Sequence, residues 1–169
     1  MSDEAALRRA KRPRSILAGP YGHPVHGFLV TIPIGAWTAA LIFDIVAFFA
    51  DDREVFTRGA LWLVGIGIIG ALLAAIVGLL DLSTLEKETR VRRLALFHLA
   101  CNAAAIALFT ISFLVRLGAD RSDVSVLGFG LSILAYLLIG LSGFLGGELV
   151  YRYGVRVADE ATQITAFRP

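Results

Sequence analysis

Imidazole can ligate a metal and exchange a proton near neutral pH, and the chain holds three: His23, His26 and His98. The first two lie in Gly22-His23-Pro24-Val25-His26-Gly27, at the entry to a long apolar stretch. His98 follows Arg93 by five residues, at the start of another. An ionisable side chain within a membrane is costly unless paired or ligated, so such residues are functional candidates. His26 and His98, facing one another from two helices, would provide the two axial ligands of one b-type haem. The protein would tune the potential through second-shell hydrogen bonds and low dielectric. His23 would then be a second-shell or propionate partner. Asn102, at i+4 from His98, would be a polar support able to bond a neighbouring group or a propionate. Cys101, at i+3, reads as apolar filler.

A second chemistry uses the same imidazoles. His23, His26 and His98, joined by the carboxylate of Asp81, form a ligand set suited to zinc or non-haem iron. Pro24 interrupts the helical register through which His23 and His26 would be compared. In a third reading the histidines only satisfy hydrogen bonds within a helix bundle.

The elements that must position these groups are plain. The 169 residues are 57% hydrophobic and 18% charged, against roughly 45–50% and about 25% in soluble domains. Gly59–Leu80, Leu94–Val115 and Val124–Gly147 carry no charge, and Gly27–Ala50 carries only Asp44. A spanning helix needs about 20 mostly apolar residues. The expectation is an all-α integral membrane protein, an up-down-up-down four-helix bundle with short connections. Residues 1–22 form a basic tail, 23–150 the transmembrane domain with spans near 27–50, 60–81, 94–116 and 125–149, and 151–169 a second tail.

Charge fixes an expected orientation. Five basic residues precede the first span (Arg8, Arg9, Lys11, Arg12, Arg14), four occupy the second connection (Lys87, Arg90, Arg92, Arg93) and three follow the last span (Arg152, Arg156, Arg168). The other two connections hold Arg53, Arg58, Arg116 and Arg121. By the positive-inside rule both termini are cytoplasmic. The first span reads as a retained anchor, because Ala47 to Asp51 match a signal-peptide cleavage site poorly. Its basic tail would rest on anionic headgroups. A net charge of +2 with basic residues flanking spans argues against nucleic acid as a partner, and one cysteine excludes an intramolecular disulfide.

Within the spans, Pro33 should free the carbonyl of Leu29 and kink the first helix. Asp44 lies about 27 Å beyond His26 along a helix, where Arg116 is its natural partner. Glu148 closes the last span. Small residues at helical spacing (Gly70, Ala74, Gly78; Ala100, Ala104, Ala107; Gly143, Gly147) are expected to form packing seams, with Asp81 continuing the first of them.

The stretch from Gly22 to Gly35, with Pro33-Ile34-Gly35 downstream of the paired histidines, and Gly146-Gly147-Glu148-Leu149-Val150-Tyr151 through Val157 resemble one family. It is that of bacterial four-span membrane proteins grouped as domain of unknown function 2231, and the resemblance covers about residues 20 to 157, with His98 also in place. Some relatives are joined to Rieske-type or cytochrome-like domains, which implies a redox setting and a separate electron partner of that kind here. The architecture is also similar to four-helix membrane cytochromes b, which hold two haems on four histidines. Three histidines allow one bis-histidine haem at most. The expected function is haem-based electron transfer rather than a stand-alone enzyme. The competing class is a non-catalytic membrane subunit, scaffold or homo-oligomer. A transporter ranks last, since no paired broken helices or inverted repeat are visible.

Overall fold

A computed structural model describes residues 3–13, 15–20 and 23–168. Arg14 of the basic tail and Gly22 of the histidine motif lie outside the described residues. A short helix, α1 (Asp3–Lys11), precedes the bundle. The first span is built from α2 (Val25–Leu29) and α3 (Thr31–Ala47), the second is α4 (Arg53–Leu82) and the third α5 (Arg90–Gly118). The fourth is α6 (Val126–Gly147), continued by a π-helical turn over Glu148–Arg152, and α7 (Glu160–Ala166) follows it.

All four spans are long and apolar enough to cross a bilayer, so the chain is a multi-pass membrane protein with an all-helical bundle. The helices run past the expected span limits at several ends, most of all in α4. There Arg53, Glu54 and Arg58 form a charged first turn, with Arg58 paired to Glu54 at 2.5 Å. Two of the turns between spans are closed by a side chain. Thr89 Oγ1 accepts from the Arg92 N–H at the start of α5, and Ser125 Oγ accepts from the Gly128 N–H at the start of α6.

The first span breaks at Val30, three residues before Pro33. The proline accounts for the interruption, since its ring removes one donor and crowds the carbonyl four residues earlier, while Val30 itself keeps helical dihedrals. Helix α3 packs chiefly on α4, and α5 on α6, so the bundle is two tight hairpins laid together. Large apolar side chains point outward, among them Phe28, Trp62, Ile69, Leu137 and Phe144. Ala40, Ala60, Ala71, Ala105, Ala135, Ser112, Ser132 and Ser142 are buried. Small residues inside and large ones outside are what lipid solvent requires: tails solvate leucine well, and helices gain by close approach.

The glycine and alanine seams fall only partly where spacing placed them. Gly70, Ala74 and Gly78 do face the first span: a Cβ on Gly70 would lie 2.6 Å from Ile32 Cγ2, and one on Gly78 3.0 Å from His26 Cε1. Gly143 instead faces open space, and Ala100, Ala104 and Ala107 are exposed. In α5 the buried stripe runs through Ala95, Cys101, Ala105, Phe109, Ser112 and Arg116. Spacing identifies a stripe; which stripe turns inward is decided by the polar residues that must be covered.

The mid-bundle core is a stack of Trp37 on Phe109, with centroids 3.9 Å apart and planes at 11°. Trp37 Nε1 donates to the carbonyl of Val64 at 3.3 Å, over the space left by Gly67. Beyond it, Arg116 forks onto Asp44 through Nη1–Oδ1 at 2.6 Å and Nη2–Oδ2 at 2.7 Å. Ser112 and Ser132 accept from the same guanidinium, and Gly128 leaves room for its stem. The ion pair expected from sequence is thus present, deep in the half of the bundle away from the termini.

Candidate functional site

At the opposite end, where both termini lie, the structure brings two of the three histidines together. The rings of His26 on α2 and His98 on α5 stand 6.4 Å apart, centroid to centroid, with planes at 81°. Both are half-buried. His26 Nδ1 lies 2.9 Å from the carbonyl oxygen of Ala74, and His98 Nδ1 lies 2.8 Å from that of Ser142. A carbonyl only accepts, so each Nδ1 carries the proton and donates. That assignment leaves a lone pair on each Nε2.

The backbones serving as acceptors are close because the facing residues are small. His26 packs over Gly78, and a Cβ on Gly146 would lie 3.2 Å from His98 Cε1. Ser142 is buried and adds its hydroxyl, 2.9 Å from His98 Nδ1 and 3.3 Å from the carbonyl of His98. His98 is thereby tied to α6 through one residue, and His26 to α4 through one turn of backbone.

Asn102 does not bridge two helices. Its amide turns back along α5, donating to His98 Nε2 at 3.1 Å and to the His98 carbonyl at 3.0 Å. No such donor reaches His26 Nε2, which has no hydrogen-bond partner among the described residues. Cys101 is buried and unpaired, as filler should be.

His23 is not brought to the pair. Pro24 is extended, with φ −74° and ψ 103°, and helix begins only at Val25. His23 therefore precedes the helix, and its side chain is exposed. Asp81 is buried at the foot of α4 but faces Arg156 of the C-terminal segment, with Oδ1 and Nε 3.0 Å apart. The contact is an ion pair without hydrogen-bond alignment: Asp81 Oδ1 and Arg156 Nε and Nη1 donate and accept no hydrogen bond there. Among the described residues no group of three or more His, Cys, Asp or Glu converges as an ion-binding set. The four residues of the zinc or iron reading thus do not converge: only His26 and His98 face each other, while His23 precedes the helix and Asp81 faces Arg156. Glu148 pairs with Arg152 at 3.0 Å on the surface.

The roles of Ser142, the Ala74 carbonyl and Arg156 are not legible in the sequence. Ser142 had one signal, a hydroxyl four residues before Gly146 in a mostly apolar helix. Arg156 was hidden because it follows the last span. It folds back under the bundle with φ 63°, its N–H donating to Ala10 and Nη2 to Ala18.

The distance between the two rings is the one a bis-imidazole site would need. Two imidazoles each about 2 Å from a shared metal have centroids about 6 Å apart. Each Nδ1–H is held by a backbone carbonyl, the second-shell arrangement that orients metal-binding histidines. One adjustment is needed, since the Asn102 amide occupies the lone pair of His98 Nε2.

Fold and site together define a four-span membrane bundle with two anchored imidazoles facing each other near one end. The chain belongs to the family described as Predicted membrane protein (DUF2231), whose model matches residues 22–159. No curated protein and no solved structure matches the chain.

Proposed function

We propose that the protein binds one haem b between α2 and α5 and takes part in electron transfer. The observation that carries this reading is the pair His26 and His98, 6.4 Å apart, each with Nδ1 anchored on a carbonyl. Haem held there would supply one-electron exchange between ferric and ferrous iron. His26 and His98 hold the iron from two helices. The Ala74 and Ser142 carbonyls fix the Nδ1–H tautomer and make each ring a stronger donor. Gly78 and Gly146 let the rings lie close to backbone, and the apolar spans around them keep the site at low dielectric.

In this reading both termini face the cytoplasm of a bacterial cell, and the site lies near that face. The charge asymmetry supports the orientation more strongly once Arg116 is buried within the bundle, which leaves Arg53, Arg58 and Arg121 at the far end. A Rieske-type or cytochrome partner would exchange the electron, within a complex or a homo-oligomer.

The test is haem titration of the detergent-purified protein. One equivalent should give a low-spin spectrum, with His26→Ala and His98→Ala each weakening uptake at least tenfold. Full helicity with no saturable uptake would overturn the proposal and leave a non-catalytic subunit.

A further inference from the structure

Beside the foot of the bundle, α1 and the α4–α5 connection enclose a cleft of about 760 Å³. Arg8, Arg9, Arg12, Lys87 and Arg92 line it, together with Ser83 and Thr84. Glu86 is its one acid. The neutralisation inside is partial. Arg9 is paired with Glu86, Arg8 with Glu4, and Arg92 donates to the carbonyls of Leu82 and Leu85 that end α4. Lys87 is exposed and has no hydrogen-bond or ion-pair partner among the described residues. The five cations of the cleft therefore outnumber its one acid, with Glu4 paired to Arg8 and Asp159 within electrostatic reach of Arg12.

Its position gives that charge a natural counterpart. The cleft begins where α4, long and apolar enough to cross a bilayer, ends at Leu82; with that helix spanning the hydrocarbon, lipid phosphates would lie near this level. Leu7, Ile16 and Leu17 expose apolar side chains on the same N-terminal segment, and cations interleaved with exposed apolar groups are what an interfacial segment presents to lipid. Guanidinium groups suit phosphate oxygens through paired N–H donors.

We propose that this cleft is a phosphate-binding site, filled by the headgroup of an anionic phospholipid that fixes α1 against the α4–α5 connection. The site is independent of the histidine pair. Arg8, Arg9, Arg12 and Lys87 grip the phosphate while Arg92, already committed to α4, adds charge without moving.

The experiment uses the full chain in nanodiscs of zwitterionic phospholipid, titrated with phosphatidylglycerol and, separately, with soluble glycerol 3-phosphate. Binding is read by native mass spectrometry. The expected result is one retained anionic lipid per chain. The combined variant Arg9→Gln/Arg12→Gln/Lys87→Gln should weaken retention at least about tenfold, since basic residues at a charged surface each add to lipid binding. The matched variant Arg90→Gln/Arg93→Gln/Arg168→Gln removes as much charge from the same end outside the cleft and should change it less than threefold. Lys87→Glu alone, at an exposed side chain, reports on the site without threatening the fold. Saturable glycerol 3-phosphate binding lost in the cleft variant would support the phosphate site and assign it to a soluble ester. Equal losses in the two triple variants would overturn the proposal, as would absence of one-to-one binding of either probe.

Discussion

Asp44 and Arg116, 72 residues apart in the chain, close on each other through two hydrogen bonds at 2.6 and 2.7 Å in the interior of the bundle. They join the first span to the third, and Ser112 and Ser132 bring the fourth into the same network. A buried pair of this kind is costly to break on one side, because the remaining charge stays without compensation. Asp44→Leu or Arg116→Met alone should lose about 3–5 kcal/mol, and the double variant should recover most of that loss. Reversible unfolding in mixed detergent would measure it. Single variants within about 1 kcal/mol of the parent would contradict the account.

Glycines at the histidines and away from them should behave differently. Gly78→Val pushes branched methyls into the His26 ring, and Gly146→Val does the same to His98. Each should cost about 1–3 kcal/mol by overpacking and weaken haem uptake. Gly143→Ala meets nothing within 4 Å and should be neutral or slightly stabilising, since alanine is the better helix former. Thermal unfolding of the three variants side by side decides whether these contacts are as tight as described.

Asn102 holds the nitrogen that His98 would offer to iron. Replacing it with leucine removes one hydrogen bond, worth about 0.5–1.5 kcal/mol, so Asn102→Leu should raise haem affinity by roughly two- to tenfold. Competition titration against a haem-binding reference protein measures the change. A fall in affinity would instead put the amide in contact with the bound group.

The termini should separate on acidification before the spans respond. Glu160 is held below the usual carboxylate range first by the hydrogen bond from Lys11 Nζ at 3.0 Å, and Asp159 first by the Thr162 N–H it accepts at the start of α7. A carboxyl with a lowered folded pKa favours the folded arrangement above its ordinary value, and that contribution is lost as pH falls through the lowered value. Protease sensitivity of the C-terminal segment should therefore rise below about pH 4, with the helicity of the spans unchanged. Glu160→Gln should show the higher sensitivity already at neutral pH. Identical digestion of parent and variant at all pH values would exclude a holding role for the Lys11–Glu160 contact.

Much of this arrangement can be read from the sequence, and the failures have physical causes. Three charge-free runs and a fourth interrupted only by Asp44 define the spans, and lone opposite charges at matching depth identify Asp44 and Arg116. Pro33 marks the break at Val30. The histidines at the same end of two spans come together because an antiparallel bundle leaves them no other level. Spacing does not show which stripe of α6 faces inward; that is set by Gly128, Ser132, Ala135 and Ser142, not by Gly143 and Gly147. Nor does it place His23, because the extended Pro24 removes the helical register, or Arg156, whose partner Asp81 lies 75 residues earlier.

The most direct test of the central claim is a reduced-minus-oxidised optical spectrum of the protein purified in detergent from haem-supplemented cells, beside His26→Ala and His98→Ala. The account predicts a stoichiometric low-spin b-type spectrum in the parent, lost or converted to high-spin in both variants. A colourless, fully helical parent that takes up no added haem would contradict it.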